Sequence, residues 1–177
     1  MAIANYVTQK RQHEIDELLK QIQLATGKTY PENNMIEIIK SYIPNVAIVE
    51  HDFFGDTHTR GAVYKKSETY KTPLIVVQKK QTKEAKTFTL AHEFGHYCLD
   101  HVGSANFLLD NKDFDGSPTM QKEAEAQYFA GSLLMPEDEF TELSQFLSIK
   151  ELAKRFGVSE SAARVRKAWL DGSNRTR

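Results

Sequence analysis

Phe88, Leu90, Ala91, Phe94, Tyr97, Cys98 and Leu99 are spread around the whole circumference of one prospective helix, and a helix that is apolar on every side is a buried one. Carried into that interior are His92, Glu93 and His96. Histidines four apart lie one above the other on the same helix face, close enough for both imidazoles to hold a single metal ion, with Glu93 beside them. Burying such groups without partners costs roughly 2 to 7 kcal/mol for a neutral polar group and more for a charge. One zinc ion would answer all three at once. The spacing is H-E-x-x-H, in which the two histidines bind zinc and the glutamate serves as general base toward water.

Two histidines leave a catalytic zinc site short, because such sites use three protein ligands and keep one position open. The lone cysteine, Cys98, excludes an internal disulfide and a cysteine-based zinc cluster, and one turn from the site it reads as core filling. His101 is the nearest further histidine. The extended pattern H-E-x-x-H-x-x-G-x-x-H would need glycine at Leu99 and histidine at Val102, which excludes that class. His58 is a fourth-ligand candidate whose position nothing in the pattern fixes. Among the acidic residues that follow, Glu123 and Glu125 are the contenders. At about 100° per residue, Ala126, Phe129, Ala130, Leu133 and Leu134 cluster in one sector, with Glu123 about 60° from its centre and Glu125 about 100° away on the other side. Glu123 is therefore the expected inward ligand and Glu125 an exposed helix residue. Gln127, one turn on from Glu123, is expected to hydrogen-bond a ligating histidine from behind.

The remaining segments read as scaffold. Residues 3–24 carry Ile15, Leu18, Leu19 and Ile22 at helical spacing, with Gly27 as the stop. A second helix follows Pro31 and ends before Pro44. Strands are expected at 46–50, 61–65 and 73–78, where β-branched residues gather between turn-forming stretches. Residues 53–58, with Phe53, Phe54 and His58, form a loop that could line a cleft. The histidine-bearing helix is expected over 82–100 with Gly103 as its stop, followed by a loop over 103–117. Ser117 and Pro118 then open a helix that halts at Pro136. Ser148 and Glu151 form a capping box, Gly157 closes that short helix, and Ser159 caps another. The expected fold is α+β: a mostly helical body, a small β-sheet beside the active-site helix and a C-terminal helical hairpin. Residues 1–147 would form the main domain, with 148–177 packed as part of it.

At 177 residues, 40% hydrophobic and 27% charged, the chain has the composition of an ordinary globular domain. No run approaches 18 apolar residues and the first residues lack a basic or apolar leader, so the expectation is a cytoplasmic protein without membrane contact. Charge is unevenly placed. Residues 100–142 hold ten acidic groups and two lysines, net −8, whereas 150–177 hold eight basic and three acidic, net +5. Such asymmetry marks either partner surfaces or solvated faces.

The run Phe88-Thr89-Leu90-Ala91-His92-Glu93-Phe94-Gly95-His96-Tyr97, followed by Glu123-Ala124-Glu125-Ala126-Gln127-Tyr128-Phe129-Ala130-Gly131-Ser132-Leu133-Leu134-Met135-Pro136, resembles the ImmA/IrrE family of zinc metallopeptidases. The likeness extends over most of the chain, and the two motifs at this separation are more specific than H-E-x-x-H alone. It implies one zinc per chain held by His92, His96 and Glu123, with Glu93 as catalytic base. It also implies a protein substrate, a helix-turn-helix repressor of a phage or mobile element. One departure is Gln127, where the family has Asn or Asp. For oxyanion stabilisation, Tyr97, Tyr128 and His58 are the candidates.

The competing class is a DNA-binding regulator, because residues 152–159 look like the first helix and turn of a helix-turn-helix. Ala163 and Arg166 fall where such motifs place larger apolar residues, which predicts a loosely packed second helix, and Trp169 is better used anchoring the hairpin. No specific DNA binding is therefore expected.

Overall fold

The computed structural model describes residues 6–53, 59–65, 71–102, 107–109 and 118–174. Helix α1 (Gln9–Thr26) begins where the Thr8 side chain accepts the amide of Arg11 at 3.2 Å, later than the periodicity predicts, because this cap satisfies an amide the first turn leaves open. It ends at Gly27, whose φ of 64° turns its N–H onto the Gln23 carbonyl at 2.8 Å. Helix α2 (Met35–Tyr42) opens with a capping box between Asn34 and Glu37. The buried faces of both helices, Ile15, Ile22, Met35, Ile38 and Ile39, join the main core.

Strands β1 (Ala47–His51), β2 (Gly61–Tyr64), β3 (Leu74–Gln78) and β4 (Phe107–Leu109) form one sheet in the order β1-β3-β2-β4. β1 runs parallel to β3, with Ala47 opposite Leu74; β2 is antiparallel to β3, with Gly61 opposite Val77, and to β4, with Ala62 opposite Leu109. β4 lies within the stretch expected as continuous loop, and three residues are too few for a period-two pattern to show. Ala62, Val63 and Ile75 on the inner strands are fully buried.

Helix α3 (Lys83–Cys98), capped by Thr82, lies between this sheet and helix α4 (Pro118–Leu134). Every residue from Thr89 to His96 is buried, as an all-round apolar helix requires. A Cβ on Gly95 would sit 2.9 Å from the Phe129 ring, so glycine is what lets α3 and α4 approach this closely. α3 stops at Cys98, before the expected Gly103. The His101 N–H bonds the His96 carbonyl at 3.0 Å and the Asp100 N–H bonds that of Tyr97 at 3.3 Å. This is a Schellman turn with Asp100 at φ 59°, a left-handed conformation that aspartate tolerates better than most residues.

Pro136 does more than halt α4. It opens helix α5 (Glu137–Leu143), whose first turn carries Glu137, Asp138 and Glu139 against the positive end of the helix dipole. Helix α6 (Ile149–Arg155) has the expected Ser148–Glu151 capping box, Gly157 turns at φ 58°, and helix α7 (Glu160–Asn174) follows. The hairpin of α6 and α7 is tightly packed, contrary to the expectation raised by Ala163 and Arg166. Ala163 is fully buried, and Arg166 is only 4% exposed with its Nε donating to the Met135 carbonyl at 3.0 Å. Trp169 packs on Tyr128 of α4 with ring centroids 4.9 Å apart. No described helix is long and apolar enough to cross a membrane.

Candidate metal centre

His92 and His96, one turn apart on α3, point their Nε2 atoms toward each other at 3.0 Å, and Glu123 of α4 meets both. His92 Nε2 lies 3.1 Å from Glu123 Oε2, and His96 Nε2 lies 3.3 Å from Oε1. All three residues are buried, and one ligand-capable atom from each falls within 4.8 Å of the others. Bonds of about 2.0–2.1 Å to a tetrahedral zinc place ligand atoms about 3.3 Å apart. The three separations therefore have the dimensions of one face of a zinc tetrahedron, and the two-imidazole, one-carboxylate donor set suits that ion.

Electrostatics leave the donors in ligating form. Burial holds His96 down to about 4, so its ring is neutral at pH 7. Burial also pushes the Glu123 carboxyl up, but hydrogen bonds from His92 and His96 outweigh it and hold the group down to about 2. Glu123 is thus an anion opposite the neutral ring of His96.

Glu93 is fully buried, with its carboxylate against the first residue of β2. A Cβ on Gly61 would fall 2.6 Å from Glu93 Oε1 and 2.7 Å from Thr89 Cγ2. The absence of a side chain on the first residue of β2 is what makes room for this carboxylate. A cleft of about 630 Å³ passes Thr89, one turn before His92, and is bounded by Phe53 and Arg60 on the sheet side and by Ser159 and Val165 on the hairpin side. Phe53 thus lines it as expected, whereas residues 54–58, including His58, lie outside the described residues, as does the expected cap Ser117.

Several expectations around the site need correction. Glu125 is not an exposed residue: it is 4% exposed, accepting from Arg11 Nη2 at 2.7 Å and lying 3.2 Å from His101 Nε2. Its cation comes from α1, more than a hundred positions away, which helical rotation cannot register. Gln127 does not bond a histidine; it lines the cleft. That place behind the ligands belongs to His101, whose Nδ1 lies 2.9 Å from His96 Nδ1. The Tyr128 hydroxyl is committed to Asp16 Oδ2 at 2.9 Å on the α1 side of α4, which removes it as an oxyanion candidate. Tyr97 is half-buried, packed against the core next to Cys98. Burial raises the Cys98 thiol well above its ordinary value, consistent with packing and not with a nucleophile.

The comparisons with known proteins agree with this geometry. The family Peptidase M78, described as the IrrE N-terminal-like domain, matches residues 44–167. A solved structure, described as a Mycobacterium tuberculosis transcriptional regulator, superposes with a TM-score of 0.62 at 19% sequence identity, covering 93% of this chain and 49% of that one. This chain thus spans about half the length of that structure, and the likeness is one of fold. No curated protein matches.

Proposed function

The chain belongs to the Peptidase M78 family of IrrE N-terminal-like domains, and from that premise we propose that it is a zinc-dependent endopeptidase that cleaves a partner protein, a helix-turn-helix repressor of a phage or mobile element. The observation that carries the reading is the buried His92, His96 and Glu123 cluster, with its donor atoms at zinc-ligand separations. The repressor as substrate rests on the family resemblance, and the transcriptional regulator of like fold supports a setting in gene control.

Zinc held by these three side chains would lower the pKa of a water toward about 7 and polarise the scissile carbonyl. Glu93, one residue on from His92 and packed against Gly61, takes the proton of the attacking water as its oxygen bonds to the carbonyl carbon, and then passes that proton to the amine nitrogen as the carbon–nitrogen bond breaks. The open cleft lined by Thr89 and Gln127, one turn from His92 and Glu123 respectively, is where an extended polypeptide would lie. In this reading the enzyme acts on a DNA-binding protein and does not read DNA itself. Arg166, a cation of the would-be recognition helix, is turned inward onto Met135.

The test is N-terminal labelling of a lysate of the source organism incubated with zinc-loaded protein. New protein N-termini should appear with the wild type and be absent with Glu93→Gln. The same N-termini in both samples would refute the assignment.

A further inference from the structure

The family-matched segment ends short of α1, yet α1 reaches the metal centre. Arg11 donates through Nε at 2.9 Å and Nη2 at 2.7 Å to Oε2 of Glu125. Oε1 of the same carboxylate receives the Gln121 amide at 2.9 Å. Glu125 Oε2 lies 3.2 Å from His101 Nε2, and His101 Nδ1 lies 2.9 Å from His96 Nδ1. His101 and Glu125 are 5% and 4% exposed, so water does not satisfy these atoms in place of one another. His101 is also tied to His96 through the backbone, its N–H closing the Schellman turn on the His96 carbonyl. One residue grips both the main chain and the ring of the same histidine.

We infer that His101, Glu125 and Arg11 form a one-directional hydrogen-bond chain that fixes the ring of His96 as a metal ligand. This inference rests on the metal-centre reading above. Its polarity is set at one end: if His96 ligates through Nε2, the atom facing His92 and Glu123, its proton sits on Nδ1. That N–H must find an acceptor, and among the described residues Nδ1 of His101 lies 2.9 Å away to accept it, which means that His101 Nδ1 carries no proton. The proton of His101 is then on Nε2 and is donated to the Glu125 carboxylate, whose charge is met by Arg11. Each ring proton in the chain then has one place, and Glu125 Oε2 accepts from both His101 and Arg11. The arrangement lengthens the usual carboxylate–histidine–metal unit by a second imidazole, and it makes α1 part of the site's support. His101, Glu125 and Arg11 are positioning residues: none is within reach of the reacting atoms, and each acts through His96.

The experiment is zinc affinity by chelator competition on the full chain, together with imidazole ¹⁵N shifts of the zinc-loaded protein. His101→Phe keeps the buried volume and removes both ring hydrogen bonds; zinc binding should weaken roughly 10- to 100-fold, the usual cost of losing such a support. Adding Glu125→Gln to His101→Phe should change affinity by less than about threefold, because the carboxylate acts on the metal only through His101. The His96 Nδ1 shift should move in His101→Phe, which a purely structural role would not require. Affinity within twofold of wild type in His101→Phe, or fully additive losses in the double variant, would overturn the chain. Should His101→Phe not fold, Arg11→Met, at a side chain 32% exposed, replaces it. Zinc should bind several-fold more weakly there and recover in Arg11→Lys, and unchanged affinity would again overturn the proposal. A wild type that takes up no zinc refutes the metal reading itself; a wild type that binds zinc while the variants are unaffected refutes only the chain.

Discussion

Replacing Gly61 by alanine puts one methyl group against the Glu93 carboxylate without touching His92, His96 or Glu123. The added carbon would lie 2.6 Å from Glu93 Oε1, 2.7 Å from Thr89 Cγ2 and 3.0 Å from Glu93 Cγ. Comfortable carbon contacts are about 3.5–4.0 Å, so something has to move by about 1 Å. β2 cannot slide, because it is paired on both edges with β3 and β4. α3 cannot retreat, because Gly95 already rests on the Phe129 ring on its far side. The Glu93 side chain is what yields. Overpacking of this kind costs about 1–3 kcal/mol, offset by about 0.4–1 kcal/mol from the stiffer unfolded chain. A net loss of about 1–2 kcal/mol corresponds to a fall in Tm of about 2–8 °C for a chain of this size. A displacement of about 1 Å in a reacting group costs about 100-fold in rate. The assay is kcat/KM on a peptide spanning a mapped cleavage site, with Tm and zinc content measured in parallel. A kcat/KM within twofold of wild type would refute the contact between β2 and Glu93 as the positioning device.

Three further outcomes follow from the packing and the charges. Metal-free protein should lose stability as pH falls from about 6.5 to 5, because burial holds His96 and His101 down to about 4 while the unfolded chain takes up protons near 6.5. Each histidine adds a slope of up to about 1.4 kcal/mol per pH unit, and urea midpoints at pH 7, 6 and 5 would read it; a flat profile would contradict it. Trp169→Ala should destabilise the whole chain by about 3–5 kcal/mol, since Trp169 is 7% exposed against Tyr128. Separate melting of the hairpin, with the remainder unchanged, would show that α6 and α7 do not share the core. DNA binding should be weak, salt-sensitive and without sequence preference, and a footprint on one defined operator at physiological salt would favour the regulator reading instead.

Local chemistry was the legible part of this fold. Caps such as the Ser148–Glu151 box and the Gly27 stop are written in two or three adjacent residues, and the structure has them where the sequence puts them. The grouping of His92, His96 and Glu123 was also readable, because burial of α3 follows from its apolar circumference and Glu123 follows from rotation on α4. What escaped depends on contacts between distant segments. Glu125 looked exposed because its partner Arg11 is on another helix. The place of His101 behind His96 comes from the turn at Asp100, whose positive φ no local residue pattern announces. Gln127 and Tyr128 each had a plausible role from their position in the motif, and each is used elsewhere because the facing side of α4 is shared among α3, α1 and α7. The acidic run after Pro136 is a visible signal for α5, since three carboxylates in a row suit a helix N-terminus.

If His92, His96 and Glu123 hold one zinc while Glu93 acts beside it without ligating, zinc content follows those three residues alone. Metal content per chain, measured on the wild type, Glu93→Gln and Glu123→Ala purified side by side, tests this most directly. About one zinc is expected in the first two, as three protein ligands imply, and loss of most of it in the third. Zinc retained at the wild-type level in Glu123→Ala, or lost in a folded Glu93→Gln, would contradict it.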